Sequence, residues 1–170
     1  MILRSRSPTS ITFYNGDITA EFSLAWQVLE VLKANPWLAG RVLRHRFKGR
    51  WRKEITLIHP KTFDEKTLPL YYQEILASTL DYQENDQSLP EKVDKFVVGR
   101  GLDVIDQPEK ILFKVTVLKL YDKESETHLD PSKRKTIKSA LIVSLNHVIG
   151  DGHTFYTIYS LLDGKQSVQA

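Results

Sequence analysis

The sequence predicts an α/β domain built on a mixed, mostly antiparallel sheet with helices packed on one face. In two runs, residues 111–120 and 139–147, successive side chains divide between two faces, as they do in strands. In two others, residues 22–32 and 155–162, apolar side chains recur at helical spacing. Since the chain has 170 residues, we expect one domain, spanning residues 1–170, with one hydrophobic core.

The first half of the chain predicts a strand, a helix and a hairpin. Residues 11–14 are expected to form the short strand. The helix over residues 22–32 ends before Pro36, because proline cannot continue a helix. Residues 41–47 and 51–58 are typical of two strands joined by a tight turn.

The second half predicts one further helix and a long polar connection. Residues 70–80 are expected to form a helix that packs through its leucine and isoleucine side chains. Residues 81–90 are polar and turn-rich, and residues 91–98 are open to a short helix or an extended segment. Residues 121–138 carry mixed charges and almost no apolar side chains, so we expect a mobile hairpin tip there.

Residues 139–162 organise the rest of the chain, because they predict a strand, a tight turn and a helix in succession. His147 falls where the strand ends and the polar turn begins. Gly150 and Gly152 break the strand and permit unusual backbone angles. Thr154 is the expected first cap of the helix. A side chain at the position of His147 is held by the strand and still reaches a cleft.

The turn contains the spacing His-x-x-x-Asp-Gly, formed by His147, Asp151 and Gly152. With the strand before it and the helix after it, this stretch resembles the signature of the chloramphenicol-acetyltransferase-like superfamily. That group includes plant BAHD acyltransferases, peptide-synthetase condensation domains and wax ester synthases. Residues 35–41 and 101–120 are similar to two further segments of such proteins, so the resemblance covers most of the chain.

The resemblance implies an acyltransferase that moves an acyl group from a coenzyme A or carrier-bound thioester to a hydroxyl or amine acceptor. It implies that His147 is the general base and that no cofactor is bound permanently. It also implies that Asp151 is structural, through an ion pair with an arginine, and that Gly152 allows close backbone approach. His153 departs from the small residue expected after the Asp-Gly pair.

Histidine suits the proposed chemistry. Acyl transfer from a thioester requires an acceptor that loses its proton as it attacks. A neutral histidine can take that proton near physiological pH, because the ordinary pKa of histidine is about 6.5. Such general-base help accelerates reactions by typically ~10²–10⁴-fold. Positioning and donors to the tetrahedral oxyanion must supply the rest.

Two other interpretations of His147 compete with the general base. It can be an ordinary half-buried histidine without a chemical role. It can also bind a metal together with Asp151 and His153, since both residue types are ligands. Adjacent turn positions rarely converge on one ion, so we expect no metal site. The other histidines lie in basic or loop segments and are expected at the surface: His45, His59 and His128.

The chain resembles only the N-terminal half of the two-domain members of this family, which place their site between two similar halves. The Asp-Phe-Gly-Trp-Gly motif in the second half of the BAHD group is not in this sequence. Two routes to a complete site follow: a C-terminal half, or self-association, as in single-domain members that form trimers. The alternative is a non-catalytic remnant that binds a partner or small molecule through the same fold.

Seven of the thirteen residues in the segment 41–53 are Arg or Lys, within a chain of net charge +3. One interpretation is a phosphate site, for nucleic acid or for coenzyme A. The other, which we favour, is a solvated hairpin anchored by apolar residues such as Phe47 and Trp51. Nucleic acid is not an expected partner, because few aromatic residues interleave with the basic ones.

Composition excludes several other classes. The hydrophobic share of 41% is ordinary for a globular chain, and no stretch approaches the ~20 apolar residues needed to span a bilayer. Basic residues at the N-terminus are not followed by a hydrophobic block, so we expect no secretory signal. The sequence has no cysteine, which excludes disulfides and thiol catalysis and favours the cytoplasm.

Overall fold

The computed structural model describes residues 7–21, 23–46, 53–77, 93–121 and 136–162. These residues contain strands and α-helices in the order β1 (Thr9–Asn15), α1 (Ile18–Glu21), α2 (Leu24–Ala34), β2 (Arg41–Arg46), β3 (Lys53–Ile58), α3 (Leu68–Tyr71), β4 (Tyr72–Ala77), β5 (Phe113–Tyr121), β6 (Thr136–Leu145) and α4 (Gly152–Leu161). No helix among them combines the length and apolar character needed to cross a membrane.

Four of the described strands form one sheet in the order β1-β6-β5-β4. β6 pairs antiparallel with both β1 and β5, whereas β4 pairs parallel with β5. The sheet is therefore mixed and mostly antiparallel, as the sequence predicts. β2 and β3 form a separate antiparallel hairpin.

The two longest described helices cover one face of this sheet. Apolar side chains of β5 and β6 on that face pack against α2 and α4 in one buried cluster, which includes Val115, Val143, Leu32 and Phe155. Burying side chains of this size stabilises the fold by ~1.5–3 kcal/mol each. The opposite face packs against Val93 and neighbouring loop residues. The alternation in the sequence therefore assigns both faces correctly.

The helix predicted over residues 70–80 is wrong. A short helix, α3, ends at Tyr71, and β4 runs from Tyr72 to Ala77 in parallel register with β5. Short apolar runs do not distinguish a helix from a strand, and pairing along β5 decides the outcome here. Residues 78–80 lie outside the described residues.

Most other element predictions are confirmed. β1, α2, β2, β3, β5 and β6 all overlap their predicted ranges, and a 3-10 helix begins at Pro36 where α2 has ended. Residues 91–98 contain a short 3-10 helix, Asp94–Phe96. The polar stretch 81–90 and most of the predicted hairpin tip at 121–138 lie outside the described residues.

The β2–β3 hairpin packs beside the turn that follows β6. Val42 and Leu112 belong to one buried cluster, and Leu57 of β3 packs against it together with Val148 and Ile149 of the turn. Hairpin and turn therefore share one apolar contact.

Part of the hairpin's positive charge is balanced. Arg44 donates its main-chain N–H to Asp106 Oδ1 at 2.8 Å, and its Nε lies 3.7 Å from Asp106 Oδ2. Arg41, Arg44 and His45 are exposed. These contacts agree with the solvated-hairpin interpretation; the predicted anchors Phe47 and Trp51 lie outside the described residues.

A charge network stabilises the sheet far from the turn. Lys119 Nζ lies 3.2 Å from Asp17 Oδ2 and 2.8 Å from Glu74 Oε2. Partial burial acts to raise the pKa of Asp17, but hydrogen bonds from Thr19 and the Lys119 ammonium hold it below its ordinary value. Burial acts to lower the pKa of Lys119, but its two carboxylate partners hold it above its ordinary value. Each group therefore favours its charged form.

Replacing Lys119 by methionine removes the ammonium between two carboxylates, and we expect a loss of about 1–2 kcal/mol in the free energy of unfolding. The Asp17 contribution exists above its ordinary pKa of 3.8 and disappears as pH falls through the lowered folded value. The Lys119 contribution exists below 10.5 and disappears as pH rises through the raised folded value. Urea denaturation should therefore show the largest difference in free energy of unfolding between the parent and Lys119→Met at pH values between 3.8 and 10.5.

Lys33→Met is the matched control, because Lys33 also lies near two carboxylates, Glu65 at 2.7 Å and Glu30 at 3.4 Å, but its side chain is 36% exposed against 14% for Lys119. It should change stability much less than Lys119→Met. Equal losses in the two variants at neutral pH would contradict the network's role.

Candidate active site

The end of β6 is fixed from both sides. Leu145 donates its main-chain N–H to Pro8 O at 3.0 Å, and Asn146 donates to Leu112 O at 2.7 Å. Leu145 is fully buried on the helix-covered face of the sheet. The chain then leaves the sheet, and His147 lies two residues beyond the last strand residue, half-buried.

The imidazole of His147 folds back onto the turn. Its Nδ1 lies 3.2 Å from the main-chain oxygen of Gly150. A carbonyl oxygen can only accept a hydrogen bond, so this contact requires hydrogen on Nδ1. In the neutral ring, Nε2 then carries the free lone pair. The arrangement supplies a base with a defined direction.

The sequence analysis missed Asn146, which is fully buried beside His147. Its Nδ2 donates to Gly99 O at 2.7 Å, and its Oδ1 accepts the Val148 N–H at 2.8 Å. Its main-chain oxygen also accepts the Ile149 N–H at 3.1 Å. An Asn directly after an apolar strand is a turn signal that could have drawn attention to it.

Asp151 is the N-cap of α4. Its Oδ1 accepts hydrogen bonds from the Thr154 N–H and Oγ1, each at 2.9 Å. The main-chain hydrogen bond from Thr154, followed by that from its hydroxyl, lowers the pKa of Asp151. The prediction that Thr154 caps the helix is therefore wrong, since Thr154 is the donor. Among the described residues, Asp151 forms no ion pair with an arginine.

The crowded glycine of the turn is Gly150, not Gly152. A Cβ atom at Gly150 would lie 2.8 Å from Leu145 Cδ2 and 2.9 Å from Thr154 Cγ2. A Cβ at Gly152 would meet nothing within 4 Å. The close approach expected at Gly152 therefore does not occur within the described part of the chain, and the space beside that residue is open.

The remaining histidines do not converge on His147. His153, His45 and His59 are exposed, and His128 lies outside the described residues. The described residues contain no group of three or more His, Cys, Asp or Glu side chains placed to hold a metal ion.

α4 begins two residues after Gly150, the hydrogen-bonding partner of His147. Gly152, His153 and Tyr156 of this helix are exposed, and Tyr156 retains 69% of its surface. A separate cavity of about 280 Å³ is lined by Tyr14, Leu141 and other residues near the far end of β6. Leu141 lies four residues before the end of β6 at Leu145, which corresponds to ~13 Å along the strand, and none of the residues that line the cavity belongs to the His147 turn. That cavity is therefore distinct from the region around His147.

The fold is similar to parts of larger proteins of known structure. One belongs to a study of condensation domain-mediated chain release from the enacyloxin polyketide synthase, with a TM-score of 0.50, 15% identity, and coverage of 98% of this chain and 27% of that chain. Another is in a complex of the X-domain and OxyB from teicoplanin biosynthesis, with a TM-score of 0.52, 9% identity, and coverage of 99% and 30%.

A third similar structure is TRI101 of F. graminearum complexed with ethyl coenzyme A, with a TM-score of 0.49, 16% identity, and coverage of 95% of this chain and 35% of that chain. Its TM-score is too low to support an argument about this chain. No protein-family model matches the chain, and no curated protein matches its sequence.

The first two similarities establish the fold alone, because their sequence identities are low. The chain has the chloramphenicol-acetyltransferase-like fold of a half-domain, as its resemblance to that superfamily implies. It spans less than a third of the length of either of those two proteins.

A matched pair of glycine variants tests the geometry of the turn. Gly150→Ala places a methyl group against Leu145 and Thr154, so we expect a loss of about 1–3 kcal/mol in the free energy of unfolding. Gly152→Ala meets open space at the start of a helix and should leave stability unchanged or raise it by ~0.4–1 kcal/mol. Chemical denaturation followed by circular dichroism measures both. Equal stabilities for the two variants would contradict the described turn.

Proposed function

We propose that this chain supplies the general base of an acyl-transfer site, with His147 Nε2 as the basic atom. The observation that carries the proposal is the bond between His147 Nδ1 and Gly150 O. It directs the free lone pair of Nε2 away from the turn, at a half-exposed position five residues before the start of α4. The fold, which the chain shares with part of a condensation-domain protein, supports the same reaction class.

The proposed reaction transfers an acyl group from a thioester to a hydroxyl or amine. As the acceptor oxygen or nitrogen attacks the thioester carbonyl, Nε2 of His147 takes its proton. The tetrahedral intermediate then collapses, the carbon–sulfur bond breaks, and the imidazolium returns the proton to the departing thiolate. The histidine is regenerated, and the products are an ester or amide and a free thiol.

The thioester is a co-substrate in this proposal, and no cofactor is bound permanently. Either acyl-coenzyme A or an acyl group on a carrier protein provides the same chemistry at the carbonyl. A reducing cytoplasm, favoured by a sequence without cysteine, suits a product that carries a free thiol.

Asp151 has a structural role in this proposal. Its carboxylate is occupied by two hydrogen bonds from Thr154, so it caps α4 instead of orienting the imidazole. The cap fixes the start of the helix that forms one side of the site.

The proposal also requires a second wall. His147 is half-buried, and Gly152, His153 and Tyr156 of the following helix are exposed, whereas small-molecule sites bury most of their ligand. Residues 1–170 are proposed to act as one domain, and a C-terminal half or a second copy of the chain supplies the opposite side. Closed assemblies of identical subunits are a common route to such shared sites.

Release of thiol from acetyl-coenzyme A in the presence of amine or hydroxyl acceptors tests the proposal. A chromogenic thiol reagent reports only the product, because the chain has no cysteine. We expect His147→Gln to lower turnover by at least ~10²-fold without unfolding the chain. Asp151→Asn is the matched control: asparagine is also a good N-cap, so turnover should stay within about twofold of the parent.

Sedimentation at the assay concentrations measures whether the chain associates, and so whether a second copy of the chain can supply the second wall. Turnover that appears only with the associated chain would support a shared site between copies. Where the parent releases thiol above the uncatalysed rate, equal turnover by His147→Gln would refute the general base. An associated chain that binds the thioester without releasing thiol would favour the non-catalytic alternative.

A further inference from the structure

We propose that Asn146 is a positioning residue that sets the orientation and the tautomer of His147. Its role as a positioner of a base rests on the proposed function. The tautomer can be measured in the absence of any activity.

Asn146 closes the backbone around His147 with two hydrogen bonds. Its side-chain Oδ1 accepts the Val148 N–H at 2.8 Å, and its main-chain oxygen accepts the Ile149 N–H at 3.1 Å. His147 is therefore the second residue of a turn whose first residue provides both acceptors. Asn suits this position because its short side chain can accept from the main chain two residues on, as a backbone carbonyl would.

Asn146 is itself held by segments distant in the sequence. Its Nδ2 donates to Gly99 O at 2.7 Å, and its main-chain N–H donates to Leu112 O at 2.7 Å. Gly99 O also accepts from Ser7 Oγ at 2.9 Å. Because Asn146 is fully buried, these protein groups are its hydrogen-bonding partners in place of solvent. These hydrogen bonds fix the position of the turn relative to the sheet and to the loop at residues 97–100.

This closed turn places Gly150 O opposite the imidazole. The contact with His147 Nδ1 is 3.2 Å long and requires hydrogen on Nδ1. If the side-chain bond to Val148 is lost, the backbone around His147 gains freedom and Gly150 O is no longer held opposite the ring. The Nδ1–H tautomer then loses the hydrogen bond to Gly150 O that favours it over the Nε2–H tautomer. Asn146 thus acts through His147 and touches no substrate.

Two-bond ¹H–¹⁵N correlation spectra of the ¹⁵N-labelled full chain distinguish the two ring nitrogens of neutral histidine. The spectra are recorded about two pH units above histidine's ordinary pKa of ~6.5. His147→Gln assigns the signals by their loss. The parent should show hydrogen on Nδ1. Asn146→Ala should lower the ratio of the Nδ1–H to the Nε2–H form about fivefold, equivalent to one hydrogen bond of ~1 kcal/mol.

Two further variants separate positioning from stability. Asn146→Asp keeps the acceptor for the Val148 N–H but loses the donor to Gly99 O. Its melting temperature should therefore be lower, while His147 should retain the parent's tautomer. Ser139→Ala removes a fully buried hydroxyl of β6 that accepts from the Ile18 N–H at 3.2 Å and donates to Gly16 O at 2.9 Å, away from the loop that holds Asn146. It should also melt lower without changing the tautomer of His147.

An unchanged tautomer ratio in folded Asn146→Ala would overturn the inference, and so would an equal shift in Ser139→Ala. Should Asn146→Ala fail to fold, Asn146→Asp decides: a folded Asn146→Asp chain without the Nδ1–H form would overturn it. A parent that shows the Nδ1–H form, while His147→Gln releases thiol as fast as the parent, would remove the acyl-transfer proposal and leave the tautomer inference standing. The two failures are therefore distinguishable.

Discussion

The buried carboxamide of Asn146 is the interaction on which the geometry around His147 depends. It joins the loop at Gly99 to the turn at Val148 through two short hydrogen bonds, and no part of it is exposed to water. The turn also carries Val148 and Ile149 into an apolar cluster shared with the β2–β3 hairpin. The hydrogen bonds of Asn146 and the apolar contacts of Val148 and Ile149 thus hold adjacent residues of one short segment. In the proposed acyl-transfer site, such support sets the direction of the His147 side chain before any ligand arrives.

Much of the fold could be predicted because its signals are local. The two faces of β6 follow from alternation, the length of α2 follows from apolar spacing and Pro36, and the His147 turn follows from its motif and flanking elements. Each of these depends on residues close together in the chain. The resemblance of the motif then pointed to the fold that the first two structural similarities establish.

The sequence predictions are wrong or incomplete where the outcome depends on contacts between distant residues or on side-chain geometry. β4 is a strand because β5 offers a parallel partner some forty residues later, and its own short apolar run carries no sign of that. The role of Asn146 depends on Gly99, 47 residues away. Which glycine is crowded depends on the direction of the Leu145 side chain, and which polar residue caps α4 depends on the donor–acceptor geometry between Asp151 and Thr154. Sequence spacing alone cannot supply these directions.

Native-state amide hydrogen exchange tests most directly whether the turn that presents His147 is a rigid part of the sheet. The main-chain N–H groups of Asn146, Val148 and Ile149 all donate hydrogen bonds. They should therefore exchange with the same free energy of opening as the buried amides of β5 and β6. Exchange of these three amides at the rate of an exposed loop, while the strands stay protected, would contradict the account. His147 would then lie on a segment that opens independently of the fold.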